Sequence, residues 1–162
     1  MKEISEKDAL FRLSALCSSA EHCSYEMIQK MQKWGLSEEV QDRIMRKLTE
    51  EKFIDDERFC RFFVKDKIRY SKWGRRKIEQ ALWAKRIPAS IQQDVLDNVE
   101  KEEYLNILRP LLKKKRKSTK AANDYELNGK LIRFALSKGF GMDIIRECID
   151  NADEFNVDED EN

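Results

Sequence analysis

Apolar residues recur along this chain at helical spacing, and the same arrangement returns about every fifty residues. A shift of 51 residues maps Met27, Met31, Leu36, Val40, Ile44 and Met45 onto Ile78, Leu82, Ile87, Ile91, Val95 and Leu96. A further shift of 53 reaches Leu131, Ala135, Phe140, Ile144, Cys148 and Ile149. Six apolar positions in register in three places, in a sequence that is only 41% hydrophobic, describe one helical module used three times. The pattern predicts an all-α fold of three tandem three-helix repeats, residues 5–52, 53–100 and 101–152, stacked into an elongated, curved array. Residues 153–162 follow as an acidic tail without apolar periodicity, expected to be disordered.

Helix borders follow from local chemistry. Within each unit the i, i+4 spacing breaks at Gly35, Arg86 or Gly139, where one helix ends and the next begins after a tight turn. Each following helix has a starter. Ser37 is an N-cap with Glu38 and Glu39 in the first turn, Pro88 suits the first helical position, and Gly141 precedes Met142 and Asp143. Ser5 to Asp8 resembles a capping box ahead of Leu10, Leu13 and Leu16. Asp55, Asp56 and Glu57 offer carboxylates to orphan N–H groups ahead of Phe59, Phe62 and Phe63. The third unit opens at about Glu102 and carries Leu105, Leu108, Leu111 and Leu112, with a kink expected at Pro110. The run Lys113 to Lys120 is expected to be a mobile, solvated connection.

Composition narrows the class. Five Gly and two Pro, with 39% charged residues, suit long amphipathic helices with charged outer faces. No window approaches the roughly 20 apolar residues of a membrane span, and the charged start is unlike a secretory signal, so a cytoplasmic, membrane-free protein is expected. Cys17, Cys23, Cys60 and Cys148 have no framework spacing and are expected to be reduced thiols serving as small core residues. The net charge of +1 hides an asymmetry, because Asp153, Glu154, Asp158, Glu159, Asp160 and Glu161 stand together without a base. A basic body with an acidic tail suggests a polyanionic partner, and a tail able to screen the same surface.

Enzymatic constellations are missing from the sequence. His22 is the only imidazole, and Cys17, His22 and Cys23 lack the further ligands a closed zinc site needs. No GxxxxGK[ST] phosphate loop occurs, so ATP hydrolysis by the chain itself is not expected. The expectation is a protein without enzymatic activity, metal or cofactor.

The run Ile54-Asp55-Asp56-Glu57-Arg58-Phe59 resembles the most characteristic motif of the RecX family. Trp73-Gly74-Arg75-Arg76-Lys77-Ile78 through Leu82, Lys85 and Ile87 resembles that family's central Gly-basic-basic segment, and Leu131 to Phe140 through Ile144-Ile145 its closing unit. The likeness extends from about Lys7 to Ala152. Departures are Cys60, where a small residue such as Ala is common, Arg86 in place of a frequent Gly, and the acidic tail. The resemblance implies a regulator that lies along the groove of the RecA–DNA filament, bridges neighbouring RecA subunits, and limits filament extension, ATP hydrolysis and strand exchange.

The residues expected to meet RecA or DNA are Lys65, Arg69, Lys72, Trp73, Arg75, Arg76, Lys77, Lys85 and Arg86, in a basic central stretch that also holds Lys67 and Tyr70. Its bland alternative is a solvated helical face with Trp73 tucked into the core. Lys72, Arg75, Arg76 and Lys77 cluster at a loop and helix start, and reversing Arg75 and Arg76 to Glu is expected to weaken filament inhibition without loss of helix. A second basic set, Lys113, Lys114, Lys115, Arg116, Lys117 and Lys120, suits non-specific phosphate contact or simple solubility. Asp55, Asp56 and Glu57 are expected to cap and pair rather than to act as acid–base groups. Expected partners are the RecA filament and, weakly and non-specifically, single- and double-stranded DNA, with the chain a monomer. The competing reading is a helix-turn-helix-like DNA-binding regulator; against it, no helix gathers base-reading Arg, Asn or Gln at its start. A relative with a changed partner is a third.

Overall fold

A computed structural model describes residues 3–149. The helices are α1 (Glu6–Ser19), α2 (Ser24–Lys33), α3 (Glu38–Glu50), α4 (Asp56–Asp66), α5 (Arg75–Ala84), α6 (Ala89–Asp97), α7 (Lys101–Ser118), α8 (Asp124–Ser137) and α9 (Met142–Cys148). Among the described residues there is no strand. The acidic tail expected at 153–162 lies outside the described residues. The all-α class is thus as expected, with helices following one another in threes.

The recurring register has a physical cause in how the middle helix of each triplet ends. Gly35, Arg86 and Gly139 all hold left-handed backbones, with φ of 72°, 54° and 96°. In each, the next residue's N–H reaches back five positions: Leu36 to Met31, Ile87 to Leu82 and Phe140 to Ala135, each at 3.1 Å. This Schellman closure satisfies an orphan carbonyl and brings together the two apolar side chains that recur in the sequence. Arg86 therefore ends its helix as the glycines do, without glycine's freedom from Cβ strain.

Helix starts follow the expected chemistry with one displacement. Ser5 and Ser37 accept from the N–H groups of Asp8 and Val40, and Gly141 immediately precedes α9. Pro88 sits one place earlier than expected, ahead of α6, its carbonyl accepting from the Gln92 N–H at 3.1 Å. Its ring suits that place because a residue before the helix donates no ladder bond. Two buried glutamines add a device the periodicity did not reveal. Gln41 and Gln92 donate from Nε2 to the Leu36 and Ile87 carbonyls, both at 2.8 Å, each closing the turn that precedes its own helix.

Two expectations are corrected. The run from Lys113 is not a mobile connection: Lys113, Lys114, Lys115, Arg116 and Lys117 form the last turns of α7, and only Lys120 lies past its end. Lys and Arg are good helix formers, favoured near the negative end of the helix dipole. Ser118 and Thr119 hydroxyls bond the Lys115 carbonyl and close the end. Phe62, grouped with the apolar face of its helix, is exposed, while Phe59 is buried against Phe63. α7 also continues for eight residues beyond Pro110, which lies on its exposed side.

The described residues form two compact units, residues 3–63 with 82–93, and 64–81 with 94–149. In the first, Ala9, Leu13, Met27, Met31, Ile44, Leu48 and Ile54 make the buried core. Asp56 there accepts from the Ser24 N–H at 2.8 Å, Asp55 caps Arg58 N–H at 3.0 Å, and Glu57 pairs with Arg61. The three acids thus serve as caps and pairs. In the second unit Leu105, Leu108, Leu131, Ile132, Ala135 and Ile145 are buried, and Tyr104 meets Phe140 edge to face.

Cysteine chemistry is quiet. All four are free thiols; Cys23 and Cys60 are buried, and burial pushes each up to about 11. Cys17 and Cys148 are also raised, mainly by burial.

Candidate polyanion-binding surface

The central basic stretch is positioned by an interrupted helix. After Asp66 the chain widens into one π-helical turn, Lys67–Ser71, and stops at Lys72, whose left-handed backbone (φ 59°) turns it towards α5. The N–H groups of Lys72 and Trp73 both bond the Lys67 carbonyl. What holds the next residues is a close backbone crossing. Gly74 N–H donates to the Lys138 carbonyl at 2.8 Å, and Arg76 N–H to the Gly139 carbonyl at 3.1 Å. The start of α5 is thereby joined to the end of α8, orphan donors meeting orphan acceptors. The approach demands glycine on both sides: a Cβ on Gly74 would stand 2.5 Å from the Gly139 carbonyl carbon and oxygen, and one on Gly139 would stand 2.5 Å from the Lys77 Cβ.

This crossing places Lys138, which the sequence reading did not single out, beside Lys72 and Lys77. Partial burial, then the charges of Lys77 and Lys72, hold the Lys138 ammonium below its usual value. Its Nζ donates to the Ser71 carbonyl at 3.2 Å, a neutral partner that leaves its charge uncompensated. Trp73 is half-buried; the Lys67 and Lys77 ammonium groups stand 5.2 and 5.1 Å from its ring centroid. Trp73 is thus neither fully tucked into the core nor bare, and it supports two cations. Lys65, Arg69 and Lys72 are exposed and make no ion pair with another described residue, and Tyr70 is 72% exposed beside them in the chain.

Other expected members are committed elsewhere. Arg75 donates to Glu79 at 2.7 Å and to Asp97 at 2.8 Å, and this dual pairing makes it a structural tie rather than a free contact. Arg76 is half-buried and lines a cleft of about 400 Å³ with Tyr104, Phe140 and Asp143. Lys85 and Arg86 belong to the other compact unit. There Lys85 pairs with Glu26 at 3.2 Å, while Glu26 also accepts from the Cys23 N–H, and the Arg86 guanidinium stacks 4.6 Å from the Tyr25 ring centroid. In the second basic set, Lys115 lies 4.8 Å from the Phe134 ring centroid and Arg116 donates to Asn128 at 3.0 Å; Lys113, Lys114, Lys117 and Lys120 are exposed.

The geometry gathers the Lys72 and Lys77 ammonium groups around Lys138, with no carboxylate among the described residues neutralising it. It suits a polyanion or an acidic surface, and offers exposed Tyr70 for stacking. Among the described residues no group of His, Cys, Asp or Glu is arranged to hold a metal ion, and no helix is long and apolar enough to cross a membrane.

Comparison with known proteins agrees with this architecture. The profile of the second three-helix domain of RecX matches residues 55–96, and that of the third three-helix domain matches residues 102–149. The chain is 32% identical over 165 residues to the regulatory protein RecX of Clostridium botulinum strain Alaska E43, covering 96% of this chain and 75% of that one. It is 29% identical to the same protein of strain Eklund 17B, covering 97% and 76%. The crystal structure of RecX from Lactobacillus salivarius superposes with a TM-score of 0.80 at 22% identity, covering 93% of this chain and 97% of that one. A second crystal structure of regulatory protein RecX gives 0.81 at 21% identity, covering 88% and 72%. With two domain profiles spanning more than half its length and a relative at 32% identity over 96% of it, the chain belongs to the RecX family of regulatory proteins.

Proposed function

We propose that this protein binds the RecA–DNA filament, lies in its groove across neighbouring RecA subunits, and restrains filament extension, ATP hydrolysis and strand exchange without chemistry of its own. Family membership supports the regulatory role. The observation that carries the contact is the cluster of Lys72, Lys77 and Lys138, whose mutual repulsion is relieved by an anionic partner. Lys65, Arg69 and Tyr70 extend the same stretch of chain. Contact with single- or double-stranded DNA is weak, non-specific and made through phosphates, so it falls steeply with salt. The protein acts as a monomer in the cytoplasm.

The test is RecA's single-strand-dependent ATP hydrolysis, with the protein added below stoichiometry to formed filaments. Suppression at a small ratio is expected. Lys72→Gln with Lys138→Gln should weaken it, and should lower the slope of log affinity against log salt by about 1–2 for any DNA contact. Full suppression by that folded double variant would remove the cluster from the contact. Native protein with no effect on RecA of its own organism would remove the filament, and an operator preference in a selection from random duplexes would favour a sequence-reading regulator.

A further inference from the structure

Within the first compact unit, α1 and α3 enclose a groove of about 550 Å³. One ion pair fastens its walls: Arg43 on α3 grips both carboxylate oxygens of Glu6 on α1, its Nη2 donating to Oε1 at 2.7 Å. Those bonds, and then the charges of Arg43 and Lys47, hold the Glu6 carboxyl below its usual range, so this acid is spent inside the groove. Lys7 from α1 and Arg46 and Lys47 from α3 complete the basic lining; all three are exposed and make no ion pair with another described residue. They face one further carboxylate, Glu50, above a floor of half-buried Leu10 and buried Ile44. An apolar floor beneath like charges focuses their field on whatever enters. Phe11 stands one turn along α1 from Lys7, at i+4 and therefore on the same side of the helix. It is 75% exposed, the most exposed large apolar side chain among the described residues, so its ring is open to a planar partner.

We propose that this groove binds single-stranded nucleic acid, its backbone phosphates against Lys7, Arg46 and Lys47 and an unstacked base on the Phe11 ring. Cations beside an exposed aromatic side chain meet both needs of such a strand, since every nucleotide carries a charge and every base a π-face. A duplex keeps its bases stacked and uses the cations alone, and an acidic protein surface leaves the ring without a role. The site lies in a different compact unit from Lys72, Lys77 and Lys138, and does not depend on RecA being the partner.

The full chain is irradiated with a pyrimidine oligonucleotide carrying 5-iododeoxyuridine, and cross-links are located by peptide mass mapping. They should fall in the tryptic segment 8–12, which holds Phe11. Affinity is read by fluorescence anisotropy of a labelled strand and of the matching duplex, with circular dichroism confirming native helix content in each variant. Lys72→Gln and Lys138→Gln form the background, so that a contact in the other unit does not mask the groove. Adding Lys7→Gln, Arg46→Gln and Lys47→Gln together should lower the slope of log affinity against log salt by about 2, at roughly 0.7 per phosphate contact. Adding Phe11→Ala should instead weaken single-strand binding about fivefold or more while leaving the salt slope and the duplex affinity unchanged. Affinity and slope retained in the triple variant overturn the proposal, as do cross-links confined to other segments. A Phe11→Ala variant that loses nothing, or loses strand and duplex alike, also overturns it. None of these readings involves RecA, so a failed filament contact leaves them unaltered.

Discussion

Gly74→Ala should be among the most damaging single-methyl additions this protein can receive. The added carbon would meet the Gly139 carbonyl carbon and oxygen at 2.5 Å, and the Phe140 nitrogen closer still. Contacts of this kind relax only if two backbones part, since no flexible side chain is there to yield. Parting them lengthens the Gly74–Lys138 and Arg76–Gly139 hydrogen bonds, each worth about 1 kcal/mol, beyond an overpacking cost of about 1–3 kcal/mol. A total loss of about 2–5 kcal/mol follows if half to all of the bonding is sacrificed. Gly35→Ala is the internal control. Gly35 has nothing within 4 Å of its built Cβ, so its cost is only the left-handed backbone at φ 72°, about 1 kcal/mol. Urea unfolding followed by far-ultraviolet circular dichroism gives both values, and hydrogen exchange should place the Gly74→Ala damage at the start of α5 and the end of α8. A Gly74→Ala variant no less stable than Gly35→Ala would refute the backbone crossing and, with it, the placement of Lys138 beside Lys72 and Lys77.

Three further outcomes are expected. Arg75→Glu should lower the urea midpoint by an amount equivalent to about 1–2 kcal/mol, because it sets a carboxylate against Glu79 and Asp97; an unchanged midpoint would show those pairs to be idle. Arg86→Gly should be nearly neutral, relief of about 1 kcal/mol of left-handed strain offsetting loss of the Tyr25 stacking; in a Tyr25→Ala background the same change should stabilise by about 1 kcal/mol, and equal effects in both backgrounds would deny the stacking a role. Alkaline stability should fall between about pH 9 and 11, since Cys23 and Cys60 hold their protons to about 11 when folded and release them near 9 when unfolded. Tyr104, raised to about 12, extends the loss, while Lys138, lowered, opposes it in the range below 10.5. Replacing both thiols with Ala should flatten the decline, and an unaltered slope would exclude them.

The triplet pattern was legible because a local hydrogen-bond motif imposes it. Met31 with Leu36, Leu82 with Ile87, and Ala135 with Phe140 are partners within one turn, so their chemistry shows in a short window of sequence. The serine caps were legible for the same reason. The candidate surface was only half legible: the charge density around Arg69 to Lys77 is plain, but which cations are spent on carboxylates is decided by residues far along the chain. Arg75 looks like its neighbours until Asp97, 22 positions away, is brought beside it. Lys138 is a lone lysine after Ser137 until the Gly74–Gly139 crossing places it among others. The π-helical turn left no mark in the apolar spacing, and the lysine run from Lys113 was misread because charge density alone does not distinguish a solvated loop from a solvated helix.

The border between the two compact units passes through helices, between Phe63 and Val64 in α4, Ala81 and Leu82 in α5, and Gln93 and Asp94 in α6. The residues matched by the profile of the second three-helix domain are therefore divided between two compact units, and that domain is expected not to fold on its own. A fragment cut out at its borders would carry parts of two cores and complete neither. Recombining domains between relatives at those borders would fail unless the flanking helices travelled with them, so exchangeable parts of this protein are delimited by its cores rather than by its repeats.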